Sequence, residues 1–201
     1  MTVKELFELI GAKHFDCVRW NQPCNCQGSG IYIVSTSTDS GSNSGVTPEP
    51  RFDNPKIQRW IDRLPEFTID GMKPTVKTLK KRLSEFWLPE ENILYIGQTK
   101  SSLAKRIGAY YRTELGTKAP HSGGQWLKTL ADLGSLSIYY VSVQNPKDKE
   151  AALLKYFFEQ VGKLPFANLE GPTGKKQHGL KYQTGKKQHG LKYQRESIDI
   201  E

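Results

Sequence analysis

The chain has 201 residues, 36% hydrophobic and 25% charged, with a formal net charge of +8 and a mean hydropathy of −0.60. That length suits one well-cored domain with an elaboration. No apolar run approaches the roughly 20 residues a membrane-spanning helix needs, and the first residues lack the pattern of a secretory signal, so a cytoplasmic protein with no membrane partner is expected.

Thr2 to Glu5 reads as a capping box ahead of an apolar face of Val3, Leu6, Phe7, Leu9 and Ile10, with Gly11 ending a short helix. The three cysteines that follow, Cys17, Cys24 and Cys26, are odd in number, which argues against a disulfide framework. With His14 they form a candidate structural Zn²⁺ set of four soft ligands. Its spacing departs from paired C-x2-C knuckles, and the alternative is three reduced thiols beside a surface histidine. Gly30–Ser35 is a strand by its β-branched and aromatic content. Thr36–Glu49 is rich in Ser, Thr, Gly and Asn and is expected to be a mobile loop.

Two helices are predicted next, over Asn54–Leu64 and from Pro74 to about Trp87. In the second, Val76, Leu79, Leu83 and Phe86 keep helical spacing, while Lys77, Lys80, Lys81 and Arg82 lie mostly off that stripe. Those cations are either a solvated face or candidate DNA contacts. A strand over Asn92–Gly97 leads to a helix capped by Ser101 or Ser102 and ending near Thr113. A turn at Pro120–Gly124, a helix at Gln125–Asp132, a strand at Leu136–Val143 and a helix at Asp148–Val161 complete the body. This order predicts an α/β domain with a small mixed or antiparallel three-stranded sheet covered by helices. Thr173–Gln183 and Thr184–Gln194 are the same eleven residues twice, holding six lysines and no acid. The two copies therefore hold +6 of the net +8, inside a basic repeated tail, 173–201, expected to be flexible and able to raise DNA affinity non-specifically. A polyanionic partner suits the charge, but the charge does not itself establish one.

On alternating strand geometry, Tyr32 points opposite to Ile31 and Ile33, and Tyr95 opposite to Leu94 and Ile96. If the two strands are neighbours, both phenols emerge on the face away from the aliphatic core. Arg106 and Tyr110 form an i,i+4 pair in the next helix, while Leu103, Ile107 and Tyr111 make a stripe that can pack inward.

Gly30-Ile31-Tyr32 and Tyr95-Ile96-Gly97 resemble the two signature tripeptides of the GIY-YIG nuclease superfamily. Arg106 and Tyr110 fall where that family carries an arginine and, four residues on, His or Tyr. Glu150, followed by Ala-Ala-Leu153-Leu154, matches its helix-borne glutamate, and Pro165–Asn168 resembles its final Pro-x-x-Asn turn. The resemblance implies a GIY-YIG-like nuclease domain over 1–172 with one Mg²⁺ or Mn²⁺ per active site. The catalytic set it implies is Tyr32, Tyr95, Arg106, Tyr110, Glu150 and Asn168.

Chemistry gives these residues roles. Glu150 would hold the cation, with Glu159 a rival on the same helix. Arg106 would contact the scissile phosphate bidentately. Tyr32 would be the general base if nearby positive charge lowered its pKa, and Tyr95 and Tyr110 would orient water and phosphate. The family's compact members join the two strands by a short hairpin, whereas residues 36–91 here form a partly helical insertion, a candidate DNA-recognition element. The leading expectation is a DNA endonuclease, restriction-like, whose cutting of both strands would call for a homodimer or sequential nicking. The alternatives are a structure-specific repair or recombination nuclease, a catalytically silent nucleic-acid-binding protein of the same fold, and an interaction module whose insert binds protein.

Overall fold

The computed structural model describes residues 1–117 and 124–169, with the backbone of Leu180–Lys181. Helix α1 (Val3–Leu9) leads into strands β1 (Asp16–Arg19) and β2 (Gly30–Ser35), then helix α2 (Asn54–Arg63), the short β3 (Thr68–Ile69) and α3 (Val76–Ser84). Strand β4 (Ile93–Thr99), helix α4 (Leu103–Arg112), strand β5 (Ser137–Ser142), helix α5 (Pro146–Val161) and β6 (Leu180–Lys181) follow. Strands β1, β5, β2 and β4 form, in that order, one open antiparallel sheet.

The sheet has four strands rather than three because Asp16–Arg19 pairs with β5 at its edge. This strand is short, charged and mostly exposed, so it lacks the alternation by which a half-buried strand is read. The predicted helix over Gln125–Asp132 is a short 3₁₀ segment at Gln125–Thr129. α4 takes Ser102 as its N-cap, the hydroxyl accepting from the Lys105 amide. α5 starts two residues before the expected Asp148, because Pro146 suits a first helical turn, and it ends at Gly162, which has φ +78°. The capping box of α1 is formed as read, Thr2 and Glu5 bonding reciprocally.

Both sheet faces are covered. Ile31, Ile33, Ile93, Ile96 and Tyr139 pack with Val3, Leu6 and Phe7 of α1 and Leu153, Leu154 and Phe157 of α5. Opposite them, Tyr32, Val34, Leu94, Tyr95, Ile138 and Tyr140 pack against α2, α3, α4 and the 3₁₀ segment. The alternation fails at one place. Val34 faces Tyr95 but Ser35 faces Ile93, so Leu94 is the extra residue of a bulge and joins the Tyr95 side.

The insertion is part of this second layer: Ile57, Trp60, Ile61, Phe67, Leu79, Leu83 and Trp87 are all buried in it. The Thr36–Glu49 stretch contains no helix or strand, yet it is not loose. Asn92, fully buried, donates to the Ser42 carbonyl (2.9 Å) and its amide donates to Asn43 (3.2 Å), while the Trp87 indole donates to Thr47 (2.9 Å). Leu180–Lys181, inside the first repeat copy, pairs antiparallel with Thr68–Ile69. The other expectations for the tail, and the turn over Pro120–Gly123, lie outside the described residues. No helix among the described residues is long and apolar enough to cross a membrane.

Candidate active site at the tyrosine cluster

Antiparallel pairing places Tyr32 directly across from Gly97 and Val34 across from Tyr95. A methyl group on Gly97 would come within 2.7 Å of the Tyr32 hydroxyl and 2.6 Å of the Tyr95 ring. Glycine there lets the two rings lie over the strand. Gly30 has a related role: a side chain would overlap the Val141 carbonyl and press on Leu103 of α4. The glycines of both tripeptides thus allow close approach across the sheet.

Tyr32, Tyr95 and Tyr110 form a three-ring cluster, with centroids 5.8 Å (Tyr32–Tyr95), 6.3 Å (Tyr32–Tyr110) and 5.7 Å (Tyr95–Tyr110) apart. Tyr110 reaches it because it continues the buried stripe of Leu103 and Ile107. Tyr111, expected on the inward stripe, is half-buried and packs its ring on the buried Trp20 (5.2 Å). Tyr32 and Tyr95 lie on the face away from Ile31, Ile33 and Ile96, as the alternation predicted, but that face is itself covered: Tyr32 and Tyr110 are fully buried and Tyr95 nearly so. The insertion and the 3₁₀ segment cover that face. The Tyr110 hydroxyl donates to the carbonyl of Gly124.

Arg106, on α4, and Glu150, in the first turns of α5, act on this cluster through their charges. Burial pushes the Tyr32 phenol well above its ordinary range, and the neighbouring Arg106 guanidinium only partly opposes that. Burial likewise raises Tyr95, with the charges of Tyr110 and Glu150 adding to it, and raises Tyr110. All three are neutral phenols at neutral pH. The positive charge looked for beside Tyr32 is present, but it does not win against desolvation.

Glu150 itself is raised to about 7 by burial, with Arg106 drawing it down. No ion pair within 4.0 Å holds it among the described residues. The rival Glu159 points elsewhere and pairs with Lys155 at 3.8 Å on the exposed side of α5. The Arg106 Nε is buried and has no hydrogen-bond partner among the described residues. A desolvated, unpaired carboxylate beside an unused guanidinium N–H fits a hard cation and a phosphate, one negative oxygen set for each.

Asn168 is not part of that constellation. Its Oδ1 accepts from the Ile96 amide (2.9 Å) and its Nδ2 donates to the Ile96 carbonyl (2.8 Å). The side chain stands in for a missing neighbour at the edge of β4, helped by the Ala167 amide on the Leu94 carbonyl (2.9 Å). Both polar ends are spent on holding the strand that carries Tyr95 and Gly97, which makes Asn168 a positioning residue.

The candidate zinc set is not brought together. Cys17 interacts with Tyr139 on one face of the sheet, whereas Cys24 interacts with Tyr140 on the other. Among the described residues no group of three or more His, Cys, Asp or Glu is close enough to hold a metal. On α3, Lys77 and Lys81 are exposed and Lys80 half-buried, but Arg82 is tied to Asp70 and to Glu85 (3.0 Å). It is the least available of the four for DNA. Sequence reasoning missed Gly124 and Lys128. Lys128 is buried, with its ammonium 5.6 Å from the Tyr110 ring centre. In the sequence it reads as an ordinary helix lysine, with no signal that marks it as buried. No family model, no curated protein and no solved structure matches the chain.

Proposed function

We propose that the protein is a metal-dependent endonuclease of the GIY-YIG type that hydrolyses phosphodiester bonds in DNA. The observation that carries this reading is the buried cluster of Tyr32, Tyr95 and Tyr110, from two strands and α4, with the charges of Arg106 and Glu150 close enough to act on it. The motif order in the sequence supports it independently.

Each residue type has work suited to that reaction. Glu150 is the carboxylate that would hold one Mg²⁺ or Mn²⁺, which would supply Lewis acidity to the phosphate. The free Arg106 Nε–H is a charge-assisted donor for a phosphate oxygen as negative charge builds up there. Tyr32, kept neutral by burial, orients the attacking water through its hydroxyl and is not a resting phenolate. Tyr95 shapes the same wall, and Tyr110, bound to Gly124, fixes the cluster from α4. Asn168 holds β4 in register.

Incubation of supercoiled plasmid with the protein and Mg²⁺ tests this. Nicked or linear product is expected from the parent, with a loss of about 100-fold or more in the Glu150→Ala variant, the scale of removing a principal electrostatic group. Absence of cleavage by the parent with both Mg²⁺ and Mn²⁺, or undiminished cleavage by the variant, overturns the assignment.

A further inference from the structure

A cleft of about 510 Å³ opens between α2, the end of α4 and the 3₁₀ segment, away from Glu150. Five cationic side chains line it, Lys56, Arg59, Arg63, Arg112 and Lys128, against the single carboxylate of Glu114. Some of that charge is already used. Lys56 pairs with Asp53 at 2.9 Å and Arg63 with Glu114 at 2.7 Å. Arg59 and Arg112 are exposed and make no ion pair among the described residues.

Lys128 is the unusual member, only 7% exposed and at the cleft's inner wall. Its ammonium donates to the carbonyls of Thr113 and Tyr111 and lies over the Tyr110 ring, with no carboxylate in ion-pair range among the described residues. Burial lowers its pKa to about 8, with Glu114 acting weakly in the other direction. A buried ammonium without an anion is costly, and an anion arriving in the cleft would relieve that cost. The Tyr111 hydroxyl on the same wall is also buried without a hydrogen-bond partner among the described residues.

We infer that this cleft binds the phosphodiester backbone of the DNA, with Arg59 and Arg112 contacting phosphates and Lys128 providing fixed positive charge behind them. The inference rests on the nuclease reading for its ligand. The geometry joins the two, because α4 presents Tyr110 to the tyrosine cluster and, one residue on, Tyr111 and Arg112 to the cleft. A strand lying in the cleft would be led along α4 toward Arg106. It also moves the DNA contact of the insertion from the α3 lysines to α2.

The test is anisotropy of a labelled 20-base-pair duplex, titrated across salt concentrations with the parent, Arg59→Gln/Arg112→Gln and Lys77→Gln/Lys81→Gln. All four substituted side chains are exposed, so the variants are expected to fold. Loss of two phosphate contacts should reduce the slope of log affinity against log salt by about 2 and weaken binding about tenfold or more in the cleft variant. The α3 variant should change less. An unchanged slope in the cleft variant, a larger effect in the α3 variant, or no duplex binding by the parent overturns the inference. Plasmid cleavage is read separately. Parent cleavage that Glu150→Ala abolishes, together with an unaffected cleft variant, rejects the cleft and leaves the enzyme reading standing. A salt slope that falls in the cleft variant while the parent never cleaves does the reverse.

Discussion

Glu150 shows how one residue can be set against the fold that contains it. Its folded pKa of about 7 lies above the ordinary value of 4.5, so the folded state binds the proton more tightly than the unfolded state does. By linkage, the stability is fully present below the ordinary value and declines as pH rises through about 7. Glu150→Gln should therefore match the parent near pH 4 and melt a few degrees higher at pH 8, an effect of about 1–2 kcal/mol. Added Mg²⁺ should narrow that gap by stabilising the parent alone. Equal melting temperatures at pH 8, checked by calorimetry, would contradict the burial argument. Because a cation needs the ionised carboxylate, cleavage should rise with pH and level off just above 7. Tyr32→Phe keeps the packing and removes only the hydroxyl, so its thermal stability should hold while cleavage falls about 10- to 100-fold, the scale of one positioned hydrogen-bonding group. The same residue-scale logic gives Asn168 a different outcome. Asn168→Ala leaves the Ile96 amide and carbonyl unpaired at a buried edge, costing about 2–4 kcal/mol. Denaturant titration measures that loss, and at low temperature the folded fraction should still cut DNA. A variant as stable as the parent but inactive would instead return Asn168 to the reacting atoms.

At the scale of elements, what the sequence revealed depended on how local the signal was. The capping box at Thr2, the Ser102 cap and the strands of both tripeptides were legible, because each rests on residues a few positions apart. The pairing of β2 with β4 entered only as a condition for both phenols to share a face, and the register meets that condition. Strand β1 was not legible, because four mostly exposed residues carry no periodicity and its partner lies over a hundred residues away. The bulge at Leu94 was equally hidden, and it is why Leu94 and Tyr95 share a side. For the candidate site, residue identities could be read but their burial could not, because the covering layer comes from the insertion. Element geometry also makes Gly97 testable. Gly97→Ala puts a methyl group 2.7 Å from the Tyr32 hydroxyl. Strand propensity favours alanine over glycine slightly, yet the variant should lose most of its cleavage and about 1–3 kcal/mol through overpacking. Wild-type activity in Gly97→Ala would mean that the rings need not lie where the strand now places them.

At the scale of the molecule, the question is whether residues 36–91 are an arm attached to a self-sufficient core or a layer of that core. A detachable arm would carry its own small cluster and leave the phenols exposed when removed. Here Ile57, Trp60, Ile61, Phe67, Leu79, Leu83 and Trp87 share one continuous cluster with Tyr32, Tyr95 and Tyr110. Phe166, from the turn that holds β4, packs against Trp87 (5.2 Å) and Trp126 (5.9 Å). Each large buried side chain is worth about 1.5–3 kcal/mol, so losing seven removes about as much as the 5–15 kcal/mol by which domains of this kind are stable. Replacing residues 50–88 by a short Gly-Ser linker should therefore give a protein without sharp near-ultraviolet circular dichroism and without a cooperative melt, even though both signature strands remain. A cooperative, folded product would show that the first layer, α1 and α5 on their side of the sheet, suffices alone. The same coupling has a functional side. Lys56, Arg59 and Arg63 belong to the insertion, while Arg112 and Lys128 belong to the flanking core. Substitution of a buried cleft-wall residue such as Trp60→Ala should then lower both the denaturant midpoint and DNA affinity, whereas exposed substitutions on α3 should leave stability as it is.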